Sequence, residues 1–188
     1  MFVIDSKVNL EDGSRTKPLC IICHPKTGSQ SMQKVLREVF DARVVAGVHD
    51  ICVRECEDII HEGGIVACTV RNPWDLMVSW HHFERSTTDV GPFRNWLLRV
   101  LTTGNGWIEK GFYGLEYCNR VFRFEHNLGF QLNNCLMDCG LRAVKLPKIG
   151  AIEHEHYSYY YDLETAVDVA LAFAGFCREW GYKFEYNE

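Results

Sequence analysis

Residues 19–31, LCIICHPKTGSQS, decide the fold class of this chain. Leu19 to Cys23 is an apolar run without alternation, which is typical of a strand buried on both faces of a parallel sheet. After a short loop, apolar residues recur at helical spacing, so we predict a helix from Ser31 to Phe40 whose apolar side packs on the sheet. The order strand, loop, helix is the first unit of an α/β fold.

The same alternation continues along the chain. Ala42 to Val48 and Ile65 to Val70 are predicted to be further buried strands, and a short helix is predicted from Arg54 to Ile60 between them. Strands that alternate with helices imply right-handed crossovers and parallel pairing. We therefore predict an α/β fold of three layers, with a central, mostly parallel sheet flanked by helices.

Caps and spacing indicate the later elements. Asn72 can cap a helix that has Pro73 in its first turn. The other predicted elements are helices from Phe93 to Leu101, from Leu128 to Cys139 before Gly140, and from Leu163 to Trp180 between Asp162 and Gly181, and a strand from Val121 to Phe124.

Length and composition fit a single globular domain. A chain of 188 residues can bury one core, and 47% hydrophobic with 24% charged residues is ordinary globular usage. No linker or repeat divides the chain, so we predict one domain over residues 1–188. The net charge of -5 argues against a general nucleic-acid binder, so we expect small-molecule partners and no nucleic acid.

The compartment is predicted from the first residues and from the cysteines. Met1 to Asp5 lacks the basic start of a signal peptide, and no apolar run reaches membrane-spanning length, so we expect a cytoplasmic protein that does not engage a membrane. Nine cysteines in that compartment are expected to be reduced. A zinc site is the alternative, but Cys20 and Cys23 should point to opposite faces of a strand, and no compact ligand set emerges.

The loop from His24 to Ser31 is suited to binding an anion. The N–H groups and the dipole at the start of a helix attract phosphate or sulfate. Lys26 precedes Gly28, whereas a Walker A loop has its lysine late and next to the helix. The alternative interpretation is a plain strand-to-helix turn with Lys26 in solvent.

This loop resembles the donor-binding loop of the sulfotransferases that use 3'-phosphoadenosine 5'-phosphosulfate (PAPS). The family pattern (Y/H)PK(S/T)G(T/S)xS is matched by residues 24–31, HPKTGSQS. The resemblance implies a P-loop-like sulfotransferase fold with PAPS as the donor. By this resemblance the loop residues that bind the donor are Lys26, Thr27, Gly28, Ser29, Gln30 and Ser31.

A second stretch, residues 70–80 (VRNPWDLMVSW), is similar to the motif with which the same family binds the donor's 3'-phosphate. The family has an Arg at a strand end and a Ser eight residues later, which implies this role for Arg71 and Ser79. A guanidinium can fork onto phosphate oxygens, and a hydroxyl can donate to the same group. The alternative is that Arg71 pairs with Asp75 while Ser79 only packs.

Weaker similarity covers nearly the whole chain. Residues 123–128, RFEHNL, are similar to a strand end of the family, and residues 159–162 and 181–184 are similar to its tail. Residues 146–148, LPK, before a tyrosine-rich segment resemble the carbohydrate-type branch, which makes Lys148 a candidate donor contact.

The resemblance implies in-line transfer of a sulfuryl group to an acceptor hydroxyl. Lys26 would stabilise charge on the leaving phosphate, and no metal is required. A general base should remove the acceptor's proton, and His49 resembles the catalytic His of some glycan sulfotransferases. The alternatives for this base are His81, His82, Glu55 and Glu125.

Three different functions stay open beside this one. A P-loop-like kinase or nucleotide-binding protein would need a Walker lysine and a magnesium ligand in register, and both are absent. A PAPS-binding module without turnover is the second hypothesis, and an interaction domain built on metal-bound cysteines is the third. A carbohydrate or a small hydroxylated metabolite is the favoured acceptor class, and no sequence pattern reports the oligomeric state.

Overall fold

The structure is a computed structural model that describes residues 1–7, 15–47, 51–103 and 113–187. In chain order its elements are β1 (Phe2–Ile4), β2 (Leu19–Ile22), α1 (Ser29–Phe40), β3 (Arg43–Val44), α2 (Val53–His61), β4 (Ile65–Val70), α3 (Pro73–Arg85), α4 (Phe93–Thr102), β5 (Arg120–Arg123), α5 (Leu128–Asp138), α6 (Leu163–Ala172) and α7 (Ala174–Trp180), with 3-10 turns at Leu115–Tyr117 and Tyr157–Tyr160.

The chain divides by its internal contacts into two compact units. The first is Met1–Val70 with Lys110–Gly150, and the second is Arg71–Glu109 with Ala151–Glu188. The first unit contains the sheet, and the second is built from helices. The single domain over residues 1–188 stays a prediction.

The described strands of the first unit form one mixed sheet in the order β3-β1-β2-β4-β5. β4 pairs in parallel with β2 on one side and with β5 on the other, whereas β1 runs antiparallel to both β2 and β3. The carboxyl ends of β2, β4 and β5 therefore lie at one edge of the sheet. The loop from His24 to Gly28 leaves the sheet at this edge.

Helices cover both faces of the sheet. On one face, Leu19 and Ile21 of β2 pack with apolar residues of α1 and α5. On the other face, Cys20 and Ile22 pack with Cys56 of α2. All of β4 is buried, which explains its unbroken apolar sequence. The predicted α/β class, with a sheet flanked by helices, is confirmed.

The sheet differs from the prediction in two details. It is mixed, because the three-residue strand β1, which the pattern did not indicate, lies between β2 and β3 and runs against them, whereas the other four strands share one direction. Within the predicted strand Ala42 to Val48, only Arg43 and Val44 pair, and both are exposed. β1 offers them two residues for pairing, so the ladder is short; Val48 lies outside the described residues.

Two helices of the second unit, α3 and α6, begin at the caps that the sequence indicates. The Asn72 side chain accepts hydrogen bonds from the backbone N–H groups of Trp74 and Asp75, at 3.0 and 3.3 Å, and Pro73 fills the first turn of α3. Asp162 and Thr165 form a capping box at the start of α6. The predicted helix from Leu163 to Trp180 is two helices, because the backbone of the buried Phe173 leaves helical geometry at φ -109° and ψ 23°.

Within the described ranges, no helix combines the length and the apolar character needed to cross a membrane.

Candidate functional site

The loop between β2 and α1 holds two residues in the left-handed backbone region. Lys26 has φ 59°, and Gly28, the N-cap of α1, has φ 79°. Glycine adopts this conformation freely, whereas a residue with a Cβ is destabilised there by about 1–2 kcal/mol. Strained residues of this kind concentrate at functional sites. The backbone therefore singles out Lys26, for which the resemblance predicts a catalytic role.

Gly28 packs closely against the segment that follows β5. A Cβ at Gly28 would lie 2.7 Å from Leu128 Cδ2 and 3.5 Å from Phe124 Cε2. The segments after β2 and β5 therefore meet at the carboxyl edge of the parallel strands, which is where open α/β sheets bind ligands. Glu125, a candidate base, is exposed in the turn after β5 at the same edge.

His24 and Thr27 attach the loop to the sheet. Thr27 Oγ1 donates to the His24 carbonyl oxygen at 2.8 Å. The buried His24 ring has Nδ1 3.1 Å from Thr69 O and Nε2 2.8 Å from Tyr113 O. Both partners are acceptors, so only the imidazolium form donates to both. Because Thr27 uses its hydroxyl proton inside the loop, its backbone N–H is the group that it can offer to an anion.

The first turn of α1 suits an anion. It contains no acidic residue, and Ser29 and Ser31 are buried in it. Ser31 Oγ accepts a hydrogen bond from Ile149 N at 3.1 Å and keeps its own proton for donation. This hydrogen bond holds the backbone of Ile149 beside the first turn of α1, and Lys148 is its neighbour in the sequence. The side chains of Lys148 and Gln30 are exposed.

In the second unit, Arg71 and Ser79 are both buried, each with 6% of its surface exposed. Arg71 Nε donates to Asp75 Oδ2 at 2.7 Å, so the pairing that the sequence left open as an alternative is present. This contact engages one of the five guanidinium donors and fixes the plane of the group. A guanidinium whose plane is fixed has the fork geometry that suits phosphate oxygens.

The two adjacent histidines of α3 have different surroundings. His81 is buried among aromatic rings, and its Nε2 is 3.0 Å from Gly91 O, which favours a packing role. His82 is half-buried, with Nε2 3.0 Å from the Tyr160 hydroxyl. Burial first, and then His154, His81 and Arg85, lower the pKa of His82. A histidine that stays neutral at neutral pH is able to accept a proton.

Two further candidates for the general base are His49 and Glu55. His49 lies outside the described residues. Glu55 forms an ion pair with Arg43, which also binds Asp5 at 2.9 Å. The carboxylate of Glu55 is therefore engaged in an ion pair within the first unit, which favours a structural role over that of a base.

In the second unit, His154 contacts Asp75 and His82, and Asp75 in turn pairs with Arg71. The sequence did not predict this cluster of polar side chains. His154 Nε2 lies 3.7 Å from Asp75 Oδ1, and the His154 ring stacks on His82 with centroids 5.5 Å apart and planes at 16°. Asp75, Ser79 and His82 recur at three- or four-residue spacing within α3, which indicates one face of that helix, and Arg71 lies just before its N-cap. No such spacing connects His154 to α3, because the two are far apart in the sequence.

The cysteines of the described residues are free thiols, most of them buried. Within that part of the chain, no group of three or more His, Cys, Asp and Glu side chains is arranged to hold a metal ion. Cys20 and Cys23 lie in the cores on opposite faces of the sheet, as predicted. Burial raises the pKa of Cys23 to about 12, so this thiol stays protonated.

Comparisons with models of known protein families and with curated proteins find no match to this chain.

Proposed function

We propose that this chain is a PAPS-dependent sulfotransferase with a three-layer, P-loop-like sulfotransferase fold. It would transfer a sulfuryl group from PAPS to a hydroxyl acceptor, with a carbohydrate or small hydroxylated metabolite as the favoured class. The observation that carries this proposal is the backbone of the loop matched by HPKTGSQS. Lys26 and Gly28 are both left-handed there, immediately before a helix start that lacks acidic residues.

The loop would hold the 5' end of the donor. The N–H groups from Thr27 to Ser31, and the Ser31 hydroxyl, would donate to the 5'-phosphate oxygens. The ammonium of Lys26 would contact the oxygen that bridges phosphorus and sulfur. As the bond from sulfur to this oxygen breaks, negative charge grows on the departing phosphate, and the lysine stabilises it.

Arg71 and Ser79 would hold the 3'-phosphate of the donor. Asp75 supports this role because it fixes the orientation of the guanidinium through Nε. Lys148 is proposed as a further donor contact, because Ile149 is bonded to Ser31 at the end of the loop.

The acceptor's oxygen would attack sulfur in line with the leaving oxygen, and its proton would pass to a base. His49 remains the proposed base by resemblance to glycan sulfotransferases. His82 is the alternative that its surroundings support, because its pKa is lowered and its ring is hydrogen-bonded to Tyr160. Products would be the sulfated acceptor and 3'-phosphoadenosine 5'-phosphate (PAP).

Turnover of radiolabelled PAPS with a panel of sugars, alcohols and phenols tests the proposal. We expect label in an acceptor, and we expect Lys26→Ala to lower kcat by about 10²–10³-fold, which is typical for loss of one group that stabilises transition-state charge. Lys34→Ala, which removes an exposed lysine from α1, is the matched control and should keep full activity. If the protein binds PAP but sulfates no acceptor, the PAPS-binding module takes the place of the enzyme.

A further inference from the structure

A basic segment of the first unit follows α5 along the surface. Residues 141–149, LRAVKLPKI, carry Arg142, Lys145 and Lys148 at every third position, and all three are exposed. Residues 139–152 contain no Asp or Glu. We call residues 141–149 the basic strap. It forms a local positive surface on a chain whose net charge is -5.

Hydrogen bonds and packing hold the basic strap in place. Asn133 of α5 bonds the backbone of Val144 twice, because its Nδ2 donates to Val144 O at 2.9 Å and its Oδ1 accepts from Val144 N at 2.8 Å. At the far end of the strap, Ile149 N donates to Ser31 Oγ at 3.1 Å. The apolar side chains of the strap that pack against the core are Leu141, Val144 and Leu146. Since the segment is already ordered, a ligand that binds along it loses little affinity to backbone ordering.

The basic strap is extended and runs antiparallel to α5. Val144 lies at Asn133, whereas Leu146 lies at Gly129, where an added Cβ would be 3.5 Å from Leu146 Cβ. Asn133 and Gly129 are about 6 Å apart along the helix axis, and extended chain covers two residues in about 7 Å. Positions three residues apart on the strap are therefore about 10 Å apart. The strap leads from the end of α5 to Ser31 in the first turn of α1.

The dipole of α5 explains only the first of these cations. Positive side chains stabilise the C-terminal end of a helix, and Arg142 follows that end of α5. Lys145 lies between the strap residues that contact the middle and the first turn of α5, where the dipole offers a cation no such support. Neither Arg142 nor Lys145 takes part in an ion pair among the described residues. A negatively charged ligand accounts for both positions.

The spacing of the charges indicates which kind of anion fits. Cations about 10 Å apart suit a chain whose negative charges are sparse, whereas duplex DNA carries one charge for about every 1.7 Å of its axis. A polysaccharide with one carboxylate or sulfate on each sugar, or on every second sugar, is such a sparse chain. The guanidinium of Arg142 can fork onto either anionic group, and the ammonium of Lys145 can donate to either.

We propose that the basic strap binds an anionic polysaccharide through Arg142 and Lys145, and that this polysaccharide is the acceptor of the reaction. The role as acceptor rests on the proposed function, whereas the binding does not. Because the strap ends at Ser31, a chain bound along it is led towards the loop that would hold the donor's 5' end. Long acceptors are favoured over free sugars, since a second contact raises the effective concentration of the reacting hydroxyl.

Calorimetric titration of three proteins tests this proposal. The strap variant, Arg142→Gln/Lys145→Gln, removes two cations and leaves the candidate donor contact Lys148 in place. The matched control variant, Arg54→Gln/Arg99→Gln, removes two exposed arginines from α2 and α4 and therefore has the same net charge. The ligands are chondroitin sulfate as the anionic polysaccharide, dextran as a neutral one, a short DNA duplex as the rival polyanion, and PAP with AMP for the donor site.

We expect the wild type to bind chondroitin sulfate more tightly than dextran or DNA, with an affinity that falls as the salt concentration rises. The strap variant should bind chondroitin sulfate about fivefold less tightly, because each exposed ion pair contributes about two- to threefold. The control variant should keep the wild-type affinity. PAP affinity should be the same in all three proteins, since neither variant changes the loop or Arg71.

The outcomes separate the two proposals. Chondroitin sulfate binding no tighter than that of dextran, or equal losses in the two variants, would overturn the strap proposal, and a remaining preference for PAP over AMP would leave the proposed function standing. DNA binding as tight as that of chondroitin sulfate would overturn the choice of a polysaccharide. The expected polysaccharide pattern without a preference for PAP would refute the proposed function and leave the strap as a polysaccharide-binding surface. If the strap variant does not fold, Lys145→Gln decides against Arg54→Gln: a two- to threefold loss supports the proposal, and no loss overturns it.

Discussion

Replacing Gly28 by alanine tests the geometry of the loop on which the proposed function depends. Gly28 has φ 79°, and its added Cβ would lie 2.7 Å from Leu128 Cδ2. Gly63→Ala is a matched control, because Gly63 has φ 73° in the same unit, and within the described residues nothing lies within 4 Å of its added Cβ. The two variants therefore share the backbone strain and differ in the close approach.

The left-handed conformation should lower the free energy of unfolding by about 1–2 kcal/mol in both variants. At Gly28, Leu128 must also move, and overpacking of this kind adds about 1–3 kcal/mol. We therefore expect Gly28→Ala to be less stable than Gly63→Ala by about 1 kcal/mol or more. For a chain of this size that difference corresponds to about 2–4 °C in Tm for each kcal/mol.

Urea denaturation and thermal melting of both variants measure this difference. PAP affinity is the second readout, and it should fall in Gly28→Ala and stay unchanged in Gly63→Ala. Equal losses of stability would refute the close approach between the loop and the segment after β5. Full PAP affinity in Gly28→Ala would refute the assignment of this backbone to the donor's 5'-phosphate.

Three further predictions concern single residues. Lys26→Gly should be more stable than Lys26→Ala by about 1 kcal/mol in urea denaturation, because both lose the ammonium and only glycine relieves the left-handed strain; equal stabilities would contradict this. Asn72→Ala should cost about 1 kcal/mol, because the side chain caps α3, and an unchanged melting curve would show that the cap contributes nothing. Hydrogen bonds from Thr165, and then Arg94, lower the pKa of Asp162, so its contribution to stability is complete above the unfolded pKa of about 3.9 and is lost as pH falls through the folded value. The wild type should therefore lose more thermal stability on acidification than Asp162→Asn, which retains a capping side chain, whereas parallel losses would contradict the assignment.

The parts of the fold that the sequence predicted are those in which burial fixes the pattern. β2 and β4 are buried on both faces, so their sequences are continuous apolar runs. β1 has three residues, too few for a period to emerge, and its position beside β2 depends on pairing between distant segments. The edge strand β3 is likewise defined by its partner rather than by its own pattern.

The candidate site was also predictable only in part from the sequence. The motif placed Lys26 and Gly28 in one loop, and the sequence left open the pairing of Arg71 with Asp75 that the structure contains. The left-handed backbone at Lys26 was not predictable, because lysine rarely adopts it. The position of His154 could not be predicted, since its contact with α3 joins residues about eighty positions apart in the sequence.

The measurement that tests the central claim most directly is thermal stabilisation by PAP, compared with AMP and with ATP and Mg²⁺, on the wild type and on Arg71→Ala. PAP at a hundred times its Kd should stabilise the wild type by about 2.7 kcal/mol, or roughly 5–10 °C. AMP and ATP with Mg²⁺ should stabilise it less, and Arg71→Ala should bind PAP no better than AMP. Equal stabilisation by ATP with Mg²⁺, or no stabilisation by PAP, would contradict the proposal that this chain binds a sulfuryl donor.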